Sequence, residues 1–268
     1  MPEVRWITLA EDADAAEAMA AIERDVPPFL AELTRQHRER LASTAPAYSF
    51  LVLEGDLPVA VMRGVALAWD GSMAGAPAGG AGEALGRAGE PGADSLAVLD
   101  VTVAFGARGR GVGRAVLEGV EERGRAAGLE RVLVLLRPHA KARYPLVPFA
   151  RYASFTRDDG APFDPWFRSA WQAGFRPVRG VDRSLIARAD LAAWRRWLEV
   201  ELPGSGPYLV EGAIKPAILE TERDEGRYRE PHLWVTPGRD PGVGWRDALA
   251  AAGVVAGDRH HREVRRRR

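Results

Sequence analysis

The sequence of 268 residues contains no cysteine, which excludes disulfides, thiol nucleophiles and cysteine-ligated metals. It also lacks net charge. Thirty-seven Lys and Arg offset thirty-seven Asp and Glu, which argues against nucleic acid as a general partner. No apolar run approaches membrane-spanning length, and Met1-Pro-Glu-Val-Arg5 has no basic and apolar leader. The expectation is a cytoplasmic chain with no membrane partner. Histidines at metal-binding spacing are missing too, since His260 and His261 are adjacent, so no metal site is expected. No serine-nucleophile elbow is present: Gly204-Ser-Gly206 lies in a loop between Pro203 and Pro207.

What the chain does have is an organising stretch from Leu96 to Gly128. Leu96-Ala-Val-Leu-Asp-Val-Thr-Val-Ala-Phe105 is short, apolar and β-branched, and reads as a buried strand. Val112, Ala115, Val116, Gly119 and Val120 then share one helical face, opposite charged positions that include Arg114 with Glu118. Gly128 ends that helix and Arg131 to Leu136 reads as the next strand. Between strand and helix lies Gly106-Ala-Arg-Gly-Arg-Gly-Val-Gly-Arg114. The first amides of a helix have no partner and sit at its positive end. Glycines 109, 111 and 113 remove Cβ atoms that would hold an anion away, and Arg108, Arg110 and Arg114 add charge. A phosphate-bearing cofactor is the natural ligand.

Exclusion narrows the cofactor. A Walker loop needs Gly-Lys-Ser/Thr, but Arg114 follows Gly113. A dinucleotide fingerprint from Gly109 needs glycine where Arg114 stands, and Arg137-Pro138-His139 replaces the acid expected after the next strand. What remains, Arg108-x-x-Gly111-x-Gly113 after Val101-Thr-Val103, resembles the coenzyme A pyrophosphate motif of the GNAT acetyltransferase superfamily. The resemblance implies an α/β (α+β) fold, a central mixed and mostly antiparallel sheet flanked by helices, here with a C-terminal extension. It implies acetyl-CoA, or another acyl-CoA, as co-substrate and a small-molecule amine as acceptor, attacked directly in a ternary complex. Val101 and Val103 would bond pantetheine through their backbone, and Arg108 to Arg114, with Val112 among them, would hold the diphosphate.

The rest of the chain fits the same plan. Trp6 to Ala10 is a strand, Glu11–Arg24 and Phe29–Leu41 are helices, and Tyr48–Glu54 with Val59–Trp69 is a hairpin turning at Gly55-Asp56. Residues 71–93 are Gly- and Ala-rich and read as a flexible insertion, a surface loop or a mobile lid. After residue 139 come Tyr144-Pro-Leu, Pro162-Phe-Asp-Pro-Trp166 and Gly226-Arg-Tyr-Arg-Glu-Pro231, patches similar to those of a subgroup of long GNAT-like proteins. The expected domain is 1–238, followed by a solvated, Arg-rich tail over 239–268. A homodimer is compatible with this reading.

Acyl transfer to an amine needs a base, because an ammonium cannot attack. Asp100, in an apolar strand where desolvation raises a carboxyl pKa, is the first candidate, against a satisfied structural carboxylate. Asp164 and Glu230 are alternatives that more readily shape the acceptor pocket with Trp166 and Arg168, or cap turns. The GNAT tyrosine four residues before Gly174-Phe175 is replaced by Ala170. That leaves Tyr152 and Tyr144 as candidate acids, each with a packing role as its alternative. Two other functions remain open: transfer from a different donor, including an aminoacyl-tRNA, and a GNAT-fold module that binds a ligand without chemistry.

Overall fold

In the computed structural model, which describes residues 3–24, 26–238 and 242–254, the apolar runs lie side by side in one sheet. Strand β1 (Arg5–Thr8) is followed by helices α1 (Ala15–Glu23) and α2 (Pro28–Thr44). Pro28 opens α2 at a position whose amide would have no intrahelical partner. The hairpin β2 (Ser49–Glu54) and β3 (Leu57–Leu67) turns at Gly55, where φ is 59°. Next come α3 (Gly80–Gly86), β4 (Ser95–Val103), α4 (Val112–Ala126) and β5 (Arg131–Leu136). The C-terminal half adds α5 (Phe149–Ala153), α6 (Pro165–Gln172), β6 (Phe175–Ala189), α7 (Leu191–Leu198) and β7 (Gly206–Tyr208). It ends with β8 (Ala217–Glu220), β9 (Glu225–Pro237) and α8 (Trp245–Ala251).

The strand order is β1-β2-β3-β4-β5-β9-β8-β7, with β6 also paired to β9. Among the described strands β4 and β5 alone run parallel, so the sheet is mixed and mostly antiparallel, with helices on both faces. This is the fold class that the resemblance implies. Among the described residues no helix is long and apolar enough to cross a membrane.

Two features of the sheet set up the site. Ser95–Val98 pair with Arg131–Val134, and then β4 and β5 part. The register between β3 and β4 also slips there: Arg63 pairs with Asp100 but Gly64 with Val98, leaving Leu99 as an extra residue. The slip reverses the side-chain alternation. Leu96 and Val98 pack under α4, yet after the bulge it is Val101 and Val103 that do so. Leu99 joins Ala97 in the core on the opposite face, under α2 and α3. Gly64 is required here, because a Cβ on it would lie 2.6 Å from the Ala97 carbonyl oxygen.

Two boundaries expected from composition do not hold. Residues 71–93 are not a loose insertion. Ala76, Ala81, Ala84 and Leu85 are buried beside Trp69, Leu99 and Trp234, and the Trp234 indole donates to the Pro77 carbonyl at 2.9 Å. Small side chains bury little area themselves, but they let the backbone lie close to large residues supplied by the sheet. The stretch after 238 is not all solvated tail either. In α8, Trp245 and Leu249 are buried in the core under α4 and α6, and the Trp245 indole donates to Ala153 O at 2.7 Å. The Arg-rich end, 255–268, lies outside the described residues.

Trp245 packs against Phe167 and Trp171, with ring centroids 5.7 and 5.6 Å away. Truncating a buried tryptophan costs about 3–5 kcal/mol. Trp245→Ala is therefore expected to lower the melting temperature by on the order of 10 °C. A scan indistinguishable from the parent's would return 242–254 to the solvated tail.

Candidate functional site

The glycine-rich turn leads into α4 as its sequence requires. Gly109 and Gly111 have φ of 77° and 86°, a region that residues with a Cβ rarely adopt, and nothing blocks the space beside Gly109. Ala115 N donates to Gly111 O at 3.0 Å as the helix begins, leaving the amides ahead of it unpartnered within the helix. Gly113 is different. A Cβ there would lie 2.8 Å from Trp166 Cζ3, so its absence makes room for α6, while Gly113 itself borders the cavity described below. The arginines divide as well. Arg108 and Arg114 line the cavity described below, and Arg108 donates to Val103 O at 3.1 Å. Arg110 instead reaches Glu54 at 2.6 Å.

Where β4 and β5 part, the edge of β4 from Leu99 to Val103 has no strand partner on that side. A cavity of about 720 Å³ fills the gap and is lined from both faces of the sheet. On one side lie the Gly109–Arg114 turn and the α6 residues Trp166, Arg168 and Ser169. On the other lie Leu30, Thr34, His37 and Arg38 of α2, together with Arg137, Leu185 and His232. Val101 and Val103 border it between the two.

Asp100 lines this cavity but is not free. Arg38 Nε donates to Oδ2 at 3.0 Å and Arg63 Nη1 donates to the same oxygen at 3.4 Å. Arg63 also pairs with Glu23. Burial alone would raise the Asp100 pKa, but Arg38 and then Arg63 outweigh it and hold the carboxyl below its usual value. The raised pKa expected of this residue is reversed. Asp100 is an ionised anchor for the buried Arg63 and half-buried Arg38 guanidinium groups, which suits it poorly to taking a proton.

Asp164 does not face the cavity. It is buried at the start of α6, where it accepts from Trp166 N at 2.9 Å and Phe167 N at 3.3 Å. It also accepts from His139 N at 3.2 Å, Ala140 N at 2.9 Å and the Tyr152 hydroxyl at 2.8 Å. One side chain thus caps a helix and ties down the loop after β5. Tyr152 is buried in this network and outside the cavity, and its burial, with Asp164 beside it, pushes its pKa up. Tyr144 packs its ring on Tyr152 and Phe163, centroids 5.7 and 5.8 Å away. Neither tyrosine is placed to protonate a leaving group in the cavity. Arg168 borders the cavity while donating to the Pro162 and Phe163 carbonyls.

Glu230 is fully buried one layer behind the cavity. Arg137 Nε donates to its Oε1 at 2.5 Å, the Tyr228 hydroxyl to its Oε2 at 2.6 Å, and His232 Nε2 lies 2.9 Å from Oε1. Burial opposes the charge, but Arg137 and His232 overcome it and hold the carboxyl at about 2. Strand alternation puts Tyr228, Glu230, His232 and Trp234 on one face. Pro231 between them has no N–H to donate, and there β6 carries two extra residues between Val181 and Leu185.

Among the cavity residues not singled out from the sequence are two histidines, His37 and His232. His37 Nε2 and His232 Nδ1 are both buried without a hydrogen-bond partner. Burial pushes His37 down to about 4, against the pull of Asp100. The available signal was the alternation of β9, which carries His232 onto the face of Glu230.

No family model matches the chain. An arginine N-acetyltransferase, avaD of Aspergillus versicolor, is 30% identical over 158 residues, 52% of this chain and 54% of that one. The chain thus spans about half the length of this curated relative. Among solved structures, the loading GNATL domain of CurA from Lyngbya majuscula aligns with a TM-score of 0.46 and 15% identity. The alignment covers 67% of this chain and 87% of that domain. The GphF GNAT-like decarboxylase in complex with isobutyryl-CoA gives 0.48 and 22%, over 67% of this chain and 89% of that one. Mycobacterium smegmatis RimJ in complex with CoA-disulfide gives 0.41 and 14%, over 93% and 88%. The chain is similar to an N-acetyltransferase in sequence, and its mixed, mostly antiparallel sheet flanked by helices is of the class that the GNAT resemblance implies.

The buried carboxylates make an acid-stability prediction. A carboxyl whose folded pKa lies below its unfolded value contributes stability above the unfolded value and loses it as pH falls through the folded one. For Glu230 that window runs from about 4.5 down to about 2. Stability is expected to fall across it, as Asp100 also becomes protonated. Glu230→Gln breaks a buried pair, so it is expected to lose about 3–5 kcal/mol at pH 7 and to flatten the acid limb in urea titrations. An unchanged limb would show that the carboxylate is not held ionised.

Proposed function

We propose that this chain is a GNAT-type N-acyltransferase that moves an acetyl group from acetyl-CoA to the amine of a small molecule. The observation that carries the reading is the cavity that starts at the Gly109–Arg114 amides and continues across the sheet along the free edge of β4. The glycine turn has the open, positively biased geometry that a diphosphate needs. Pantetheine then adds to the edge at Val101 as a strand would. Arg108 must release Val103 O for that carbonyl to take part. The thioester comes to rest where β4 and β5 part, with the acceptor amine arriving from the side of α2 and β9. Attack, a tetrahedral intermediate and departure of the thiolate follow in one ternary complex, with a β4 amide stabilising the oxyanion. The name of the relative makes L-arginine the first acceptor to try, and the cytoplasm is the expected setting.

A second reading, a CoA-binding module without chemistry, is favoured by one observation. Ala170 is buried on α6 and brings no hydroxyl to the thiolate. A thiol of pKa around 8.5 is nonetheless a tolerable leaving group unaided near neutral pH.

Acetyl-CoA is expected to raise the melting temperature, because it binds the native state. Gly111→Ala places a methyl at a φ of 86° beside the turn and is expected to weaken acetyl-CoA at least tenfold, roughly the loss of one hydrogen bond to a charged group. Release of free CoA thiol from acetyl-CoA mixed with amines, followed by a thiol reagent, distinguishes the two readings. Binding without release over a broad amine panel would establish the module.

A further inference from the structure

The acceptor side of the cavity ends in two imidazoles, and they are not equivalent. His232 has the Glu230 carboxylate 2.9 Å behind Nε2, and Glu230 is itself fixed by Arg137 and Tyr228. An ionised carboxylate can only accept, so Nε2 carries the hydrogen and the neutral ring presents a bare lone pair at Nδ1. That atom is buried, lacks a protein partner, and belongs to a residue lining the cavity. A buried acceptor left without a donor is destabilising unless a ligand supplies one. His37 has no comparable carboxylate: Asp100 is taken up by Arg38 and Arg63.

Building on the acyl-transfer reading, we propose that His232, oriented by Glu230, is the general base that deprotonates the acceptor ammonium. Nδ1 takes one proton from R–NH3+, leaving R–NH2 and an imidazolium balanced by the Glu230 carboxylate. The amine lone pair forms the C–N bond to the thioester carbon as the carbonyl π pair moves onto oxygen. Collapse restores the carbonyl and breaks C–S. The second proton of the attacking nitrogen passes to the departing thiolate, giving the amide and CoA thiol, and the imidazolium returns its proton to solvent. Glu230 is a positioning residue in this scheme, holding the tautomer and stabilising the charge that forms. His37, which burial holds at about 4, stays neutral and does not compete for the proton. The titratable and charged groups around His232 are Glu230, which bonds it and is itself bonded by Tyr228, His37 of α2, which interacts with it, and Arg38, Asp100 and Arg137, which share its cavity lining. Leu185 of β6 and Ala81 of α3 are the apolar neighbours in the same lining.

The test uses the full chain, acetyl-CoA and a panel of L-arginine, tryptamine and benzylamine. His232→Asn is expected to lower kcat by at least about a hundredfold while the acetyl-CoA melting shift persists. Its rate is expected to recover as pH approaches the acceptor's own pKa, where free amine no longer needs a base. The acid-side limb of the parent's kcat/KM profile should disappear. His232→Gly, which opens space at Nδ1, should regain activity with added imidazole. A structural role for the ring would show neither the recovery nor the rescue. On the parent, 15N NMR should show hydrogen on Nε2 and a bare Nδ1; hydrogen on Nδ1 of the neutral ring overturns the proposal without reference to any variant. A working parent with an equally active His232→Asn, or a loss that neither imidazole nor high pH repairs, overturns the base alone. A parent that binds acetyl-CoA yet acetylates nothing in the panel overturns the acyl-transfer reading and the base with it.

Discussion

After Val98, β4 keeps its hydrogen bonds to β3 but has none to β5, and the extra residue Leu99 rotates the rest of the strand. Together these changes create the cavity and choose what faces it. Without the parting there would be no free edge along Leu99–Val103. Without the bulge, Asp100 would point under α4 and Val101 would point toward α2. The close approach of Gly64 to Ala97 makes the bulge affordable, since any side chain there would collide with a carbonyl.

The polar groups around the gap follow one pattern. Asp100 is half-buried and Glu230 fully buried, and each is held by arginine from a distant part of the chain. Desolvating a carboxylate is expensive, and in both cases the guanidinium partners lower its pKa despite burial. The consequences differ because the neighbours differ. Asp100 is hydrogen-bonded by two guanidinium groups, Arg63 and Arg38, the latter also bonded to Thr102, so its charge is spent on structure. Glu230 also touches His232, an imidazole in the cavity lining.

Local rules made the centre of the molecule legible. The run before Phe105, the positive-φ glycines and the 3.6-residue face of α4 are each consequences of a few consecutive residues, and they appear where the sequence put them. The misreadings are of another kind. Asp100 looks like a lone carboxylate in an apolar strand until Arg38, 62 residues earlier, closes over it. Tyr152 looks available until Asp164 takes its hydroxyl. The glycine- and alanine-rich stretch looks unable to bury itself because Trp69 and Trp234, which cover it, are not part of it. Gly113 looks like part of an anion cradle, yet its missing Cβ is filled by Trp166. In each case the deciding partner is remote in sequence, and pattern reading has no access to it.

The parallel pairing also has a mechanical side. The ladder between the half of the sheet that ends in β4 and the half that begins with β5 is confined to the stretch Ser95–Val98 against Arg131–Val134, with Asp94 O accepting from Glu130 and Arg131 just before it. Beyond it the two halves are spanned by side-chain packing, notably from α4, and by side-chain hydrogen bonds such as those of Trp234 to Pro77 O and Arg179 to Ala76 O. The gap is therefore a wedge with its apex at a short seam. A small rotation about that seam widens the far end without breaking a single ladder bond, so the width of the wedge is set by soft contacts. On the acyl-transfer reading proposed above, thick and thin acyl groups would be sorted by how far those contacts yield.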